Sequence, residues 1–236
     1  MERPAPSLPP RSQRTRTPGA RRDCYSYDAV AWCYDELASA YSLGRIARAC
    51  RAQQRHLQPG DRALYVGVGR GRDALEAASR GVHVTAVDVS AAMLRRLRRR
   101  AEALGVVIDV RREDLFAHEA ERPYDAVLAN FVLNLFGEAT AARCVAQLAG
   151  LLGPRGRLLI ADFAPPRGKL VERLLVNAYF RPLNLAAWPL GLCALHPLVD
   201  FEPAFEAAGL KLVERRGFRL PGVGPDLYES LVAMQR

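Results

Sequence analysis

The sequence predicts a doubly wound α/β fold: a mostly parallel sheet with helices on both faces, a C-terminal antiparallel hairpin and an apolar lid insertion. Three observations lead there. From about residue 62 onward, short apolar runs alternate with helical patterns, and each parallel strand pair requires a crossover helix. A glycine-rich turn, "GVGRG" at 67–71, separates the first apolar run from the first helical pattern. Two final runs flank "PGVGPD", which reads as the turn of a hairpin. A chain of 236 residues, half of them hydrophobic, has the size of one such domain.

Residues 1–22, "MERPAPSLPPRSQRTRTPGARR", are rich in Pro, Arg, Ser and Thr and offer little to bury, so they read as a disordered basic tail. The tail is either a solvated segment or an electrostatic tether to an anionic membrane. The remainder, 23–236, forms the domain. It opens with the helical segment "YDAVAWCYDELASAY", where Tyr25, Tyr27, Tyr34 and Tyr41 read as packing residues. Strands are expected at Arg62–Gly67, Val82–Asp88, Val106–Val110, Asp125–Asn130 and Arg157–Asp162, and helices at 72–80, 90–104 and 138–152. In "AAMLRRLRRRAEALG" the apolar stripe is Met93, Leu94, Leu97 and Leu104, and Arg95, Arg96, Arg98, Arg99 and Arg100 form its wet face. A helix at 201–208 precedes the hairpin strands Lys211–Leu220 and Leu227–Gln235.

Between the fifth strand and that last helix lies an insertion of nearly forty residues, 163–200, against the roughly two to six usual for such a connection. Its part from Pro182 to Val199 has no Lys, Arg, Asp or Glu. Pro182, Asn184, Pro189, Gly191, His196 and Pro197 argue against a regular spanning helix. The segment is either a cap that dips into a membrane interface and admits a lipophilic substrate, with Trp188 at the boundary, or a lid that completes the core.

The net charge of +9 is concentrated in the tail and the helix at 90–104, which permits contact with an anionic membrane surface. Five cysteines (Cys24, Cys33, Cys50, Cys144, Cys193) show no C-x-x-C spacing, and no charged-then-apolar leader opens the chain. A reducing cytoplasmic compartment, at the inner face of the membrane, is the expected location.

The glycine turn, Gly67, Gly69 and Gly71, presents backbone N–H groups and a helix N-terminus at the carboxyl end of the first strand. The spacing is G-x-G-x-G followed by Arg72, so a dinucleotide fingerprint is not completed. In "VTAVDVSAAML" the second strand ends in Asp88, placed to accept from two ribose hydroxyls, with Val89 beside it; the alternative is a helix cap before Ser90. "RREDLF" places Asp114 and Leu115 past the third strand, where a carboxylate can receive an adenine amino group or simply cap its own loop.

With "YDAVLANFVLNLF" and "LLGPRGRLLIADF", these motifs resemble the class I S-adenosylmethionine-dependent methyltransferases over roughly residues 25–236. The resemblance implies a Rossmann-like sheet of that type, S-adenosylmethionine as cosubstrate, and a cofactor site at Tyr65, Gly67, Gly69, Gly71, Asp88, Val89, Asp114, Leu115 and Asn130. Within the superfamily the chain looks most like enzymes acting on quinones and other lipophilic small molecules.

One position departs from the pattern. Where typical members carry Asp or Glu on the first strand, to hold the ammonium of the methionine part, this chain has Tyr65. An α-amino group with a pKa of about 7.7–8.0 and no carboxylate partner is partly neutral near pH 7, and a neutral amine is a nucleophile. Tyr65, Val68 and "YFRPLNLAAWPLGLCALHPLVDF" are similar to the rhodoquinone-biosynthesis (RquA) subfamily. That resemblance implies transfer of the amino group of S-adenosylmethionine to ubiquinone in place of a ring methoxy group, with a manganese requirement. Methyl transfer to a quinone, fatty acid or other lipid stays open beside it, with Tyr65 then a packing residue.

His196 is a candidate proton shuttle or a satisfied core histidine, with Asp200 one turn away if that segment is helical. Asn130 and Asn134 flank the end of the fourth strand, where amides can bind a quinone carbonyl. The catalytic candidates are thus Tyr65, His196 and Asn134. No metal motif is present, and Asp162 and Asp200 are oxygen-ligand candidates for manganese. A dinucleotide oxidoreductase is disfavoured by the glycine spacing and Asp114. A non-catalytic, membrane-associated assembly protein would not need Asp88, Asp114 and three glycines. Nucleic acid is not an expected partner, because no Asn/Asp-Pro-Pro-Tyr motif follows the fourth strand.

Overall fold

The structure is a computed structural model that describes residues 41–69, 71–188, 198–222 and 224–235. The basic tail, the opening helix with Tyr25, Tyr27 and Tyr34, and His196 lie outside the described residues. In chain order the described elements are α1 (Arg45–Ala52), β1 (Arg62–Val66), α2 (Arg72–Ser79), β2 (His83–Asp88), α3 (Ala91–Leu104), β3 (Asp109–Arg112), β4 (Tyr124–Asn130), α4 (Glu138–Ala149), β5 (Leu152–Phe163), α5 (Leu170–Ala187), α6 (Glu202–Ala207), β6 (Leu210–Phe218) and β7 (Tyr228–Gln235). Short 3-10 turns cover Gln53–His56 and Leu133–Leu135.

The strands form one seven-stranded sheet in the order β3-β2-β1-β4-β5-β7-β6. Strand β7 pairs antiparallel with both β5 and β6, and the pairs among β1 to β5 are parallel. Alternation along β1 shows how the sheet is covered on both faces. Leu64 and Val66 join Cys144, Val145 and Leu148 of α4 in one cluster. Ala63 and Tyr65 join Ala74 and Ala77 of α2 in another. The strand order places the β1/β4 junction at the reversal of winding, the usual ligand crevice of such sheets.

Two expectations need correction. The third strand is Asp109–Arg112 and not Val106–Val110. Gly105, with φ 65°, caps α3, and the Val106 N–H donates to Ala101 O at 3.0 Å, so the apolar residues after it close a helix. Strand β3 lies at the sheet edge and has no fully buried residue, so its sequence carries no apolar run. The helix at 138–152 ends at Ala149, because Leu152 already pairs with Tyr124 in the sheet.

The first half of the lid insertion is an 18-residue helix, α5, with Pro182 inside it. Pro182 removes one N–H donor, but Val176 and Phe180 pack one side of the helix into an aromatic corner with Phe163, Phe218 and Tyr228. Tyr41 fastens it further. Its hydroxyl donates to Tyr179 O at 2.6 Å, and the Tyr179 hydroxyl donates back to Tyr41 O at 2.9 Å. Among the described residues, no helix is long and apolar enough to cross a membrane.

Candidate functional site

The site is built at the carboxyl ends of β1, β2 and β4. After Val66 the chain turns through Gly67, Gly69 and Gly71, with φ of 59°, 54° and 59°. All three lie in the left-handed region that favours glycine. A Cβ on Gly67 would come within 2.7 Å of Val132 Cβ, and one on Gly71 within 2.6 Å of Leu97 Cδ1. Gly69 differs, because a Cβ there would meet nothing within 4 Å. Two of the glycines therefore answer to packing, and the middle one borders open space.

Asp88 ends β2 beside this turn. The Gly69 N–H donates to its Oδ2 and the Ser90 N–H to its Oδ1, each at 2.8 Å. The two contacts fix the carboxylate plane, and a carboxylate oxygen can accept more than one hydrogen bond, so a ligand hydroxyl can share it. Capping of α3 falls to Ser90, whose hydroxyl accepts from the Met93 N–H at 3.1 Å. The capping alternative for Asp88 is thereby taken by its neighbour. Val89 contributes its carbonyl, which accepts from Arg112 Nε at 3.2 Å.

Asp114 is exposed and caps its own turn, accepting the Phe116 N–H on Oδ1 at 2.8 Å. Leu115 is 8% exposed and packs in the core, which leaves its backbone as the part able to meet an adenine.

Tyr65 is 2% exposed. Its hydroxyl lies 3.3 Å from Gln54 Nε2, which donates to it, and 3.4 Å from the Asp73 carbonyl, which it can reach as donor. Burial and the nearby Asp73 carboxylate push its phenol well above the usual range, so it is neutral at pH 7. The side chain packs under α2 with Ala74 and Ala77, which is the packing alternative left open at this position.

Beside it stands a carboxylate that the sequence reading did not single out. Asp73, in the first turn of α2, is half-buried, and its Oδ2 accepts from Asn130 Nδ2 at 2.8 Å. Burial raises its pKa. The signal was present in "GRGRD", where the acid follows the third glycine by two positions. An acid in a helical first turn is common, so the position does not stand out from its sequence.

Asn130 is a bridge. It donates to Asp73 and accepts from the Ala161 N–H at 3.1 Å, tying β4, β5 and α2 together. Asn134 stands over the end of β5 and donates its backbone N–H to Asp162 Oδ2 at 3.1 Å. Asp162 also accepts from the Phe163 N–H at 2.8 Å, and burial pushes its pKa up to about 8.

As manganese ligands, Asp162 and Asp200 do not fit. Asp162 is buried, and burial favours its neutral acid over the carboxylate that a manganese ion requires. Asp200 lies in an irregular segment, not a helix, and pairs with Arg167 at 3.1 Å. Among the described residues there is no group of three or more His, Cys, Asp or Glu side chains able to hold a metal ion. His118 was not anticipated as a buried polar centre. It bonds Glu113 at 2.8 Å and the Tyr124 hydroxyl at 3.1 Å, and braces the loop after β3.

Residues 63–156 match the family model of a methyltransferase domain. The chain is 39% identical over 119 residues to a protein-L-isoaspartate O-methyltransferase of Methylorubrum extorquens, covering 50% of this chain and 48% of the relative. It is 30% identical over 167 residues to a demethylmenaquinone methyltransferase of Mycolicibacterium vanbaalenii, covering 68% of each. The chain spans about half the length of the first curated relatives it matches. Among solved structures it is similar to a Burkholderia thailandensis 1,6-didemethyltoxoflavin-N1-methyltransferase, with TM-score 0.61 and 21% identity, covering 94% of this chain and 93% of that one. That likeness shows the fold.

Proposed function

The chain belongs to the class I S-adenosylmethionine-dependent methyltransferase superfamily, and we propose that it transfers a methyl group from that cosubstrate to a quinone or a similarly lipophilic ring. The observation that carries the reading is Asp88, held by two backbone N–H groups at the edge of a glycine turn whose middle residue borders open space. A carboxylate fixed in this way suits the two hydroxyls of a ribose, and the N-terminus of α2 faces the rest of the nucleoside. Similarity to a demethylmenaquinone methyltransferase supports the quinone class of acceptor.

Asp73 supports methyl transfer as well. It supplies beside Tyr65 the carboxyl group that Tyr65 lacks; burial favours its neutral form, an ammonium bound beside it draws it back to the carboxylate, and that pair keeps the amine of the methionine part a poorly nucleophilic cation. In this reading the chain's residues bind and orient. Asn130 holds Asp73, Asn134 shapes the end of β4 where the acceptor ring lies, and buried Asp162, protonated through much of the neutral range, avoids a second free charge.

A second reading is amino transfer to ubiquinone, giving rhodoquinone, and the uncharged Tyr65 at the usual acidic position favours it. One incubation separates the two. The protein is given quinone acceptors, including ubiquinone, and S-adenosylmethionine carrying heavy carbon in its methyl group and heavy nitrogen in its amino group, with and without manganese. Heavy carbon in the quinone is the expected result. Heavy nitrogen there replaces it with the second reading, and neither label in any quinone removes both.

A further inference from the structure

Helix α5 is two-sided in a way the transfer site does not use. Val176, Phe180 and Asn184 recur at each turn and are buried. On the opposite side Val171, Leu174, Leu175 and Leu185 are 51–67% exposed, and Trp188 closes the helix at 54%. Isolated surface apolar residues are normal, but five along one helix are not. Lys169, Arg173 and Arg181 are exposed with them. The one acid of the helix, Glu172, is occupied by the backbone N–H groups of Arg167 and Gly168.

Next to this helix lies a cleft of about 310 Å³ among Arg45, Arg48, Arg216 and Arg219. Only Arg219 has an acidic neighbour there among the described residues, Asp226 at 3.5 Å. The Nε of Arg45 is shielded from water and has no hydrogen-bond partner among the described residues. Helix α1, which carries Arg45 and Arg48, meets the end of β6 and α5 in one apolar cluster through Ala49, Phe218, Val176 and Phe180. Phe163 and Phe218 both stand in register with Tyr228. This corner therefore sits at the carboxyl edge of the sheet, the same edge as the transfer site.

We propose that the exposed side of α5 and the four-arginine cleft form a docking surface for an anionic phospholipid bilayer. The helix lies in the plane of the interface with its apolar side among the acyl chains, and the arginines receive lipid phosphates. The combination selects this occupant. A soluble anion would use the cleft and leave the apolar stripe unexplained. A second copy of the chain would set one positive surface against another, since Lys169, Arg173, Arg181 and the four cleft arginines all lie on it. The surface is independent of which group is transferred, and it explains how a lipophilic ring reaches the carboxyl edge of the sheet.

The test uses the full chain and quinone-free vesicles of phosphatidylcholine alone or in equal parts with phosphatidylglycerol. The protein pellets with the anionic vesicles, is released by added salt, and stays in solution with phosphatidylcholine. The double change Leu174→Glu and Leu175→Glu weakens partitioning at least tenfold, and Arg48→Gln with Arg216→Gln weakens it roughly fivefold per residue. In the Trp32→Phe background the emission of Trp188 shifts to the blue on vesicle addition. Retained S-adenosylhomocysteine binding by each variant separates loss of docking from loss of fold, and leaves the transfer reading to be judged by its own labels. The proposal is overturned if the wild type ignores anionic vesicles, or if it binds both vesicle types alike. It is also overturned if the leucine changes alter only the mass in light scattering, which would make α5 a contact between copies.

Discussion

Replacing Gly67 and Gly69 separately by alanine should give two different kinds of damage. At Gly67 the new methyl meets two costs. The left-handed backbone, φ 59°, penalises any Cβ by about 1–2 kcal/mol. The approach to 2.7 Å of Val132 Cβ adds an overpacking cost of about 1–3 kcal/mol, because Val132 is braced against the core. Together these make about 2–5 kcal/mol, a large part of the roughly 5–15 kcal/mol that stabilises a domain. At Gly69 only the backbone cost of about 1–2 kcal/mol applies, since nothing lies within 4 Å. Its methyl projects into the space assigned to the cofactor. Urea unfolding and calorimetric titration with S-adenosylhomocysteine, run on both variants, read the two effects apart. Gly67→Ala should lose mainly stability, and Gly69→Ala mainly affinity. Equal losses of stability, or wild-type affinity in Gly69→Ala, would refute the division of labour in the turn.

Three further outcomes follow from the same geometry. Asp162, with its pKa pushed up to about 8 by burial, binds a proton in the folded chain that the unfolded chain releases near pH 4. Stability should therefore fall as pH rises from about 4 to 8, and Asp162→Asn should flatten that part of the urea-unfolding profile. Tyr65→Phe removes a hydroxyl that Gln54 uses, so unfolding should show a loss of about 1 kcal/mol, with methyl-transfer turnover close to wild type. Glu229 is buried between Arg167 at 2.9 Å and Arg215 at 3.7 Å, and Glu229→Gln should cost about 2 kcal/mol by urea denaturation without moving cofactor affinity.

The parallel core of the sheet was legible because its strands are buried on both faces and their sequences are near-continuous apolar runs, as in "AVLAN" of β4. The edge was not. Strand β3, "DVRR", is held by its ladder to β2 and not by burial, whereas the apolar residues before it end a helix. Helix α5 was hidden by Pro182 and by a charge-poor stretch that suggested an irregular lid. Its period was nevertheless present in Val176, Phe180 and Asn184.

The placement of Asp88 at the end of β2 beside the glycine turn was readable from spacing. Asp73 was not, because its significance arises only when Asn130, 57 positions away, is brought to 2.8 Å. Tyr65 could be recognised as a departure, but which way its hydroxyl turns depends on Gln54 of the preceding 3-10 turn.

The central claim is that the cofactor's ribose sits on Asp88 at the end of β2. Titration of S-adenosylhomocysteine into wild type and Asp88→Ala tests it most directly. The account predicts saturable one-to-one binding by the wild type and a loss of roughly 10- to 100-fold in the folded variant. No binding by the wild type, or unchanged affinity in Asp88→Ala, would contradict it.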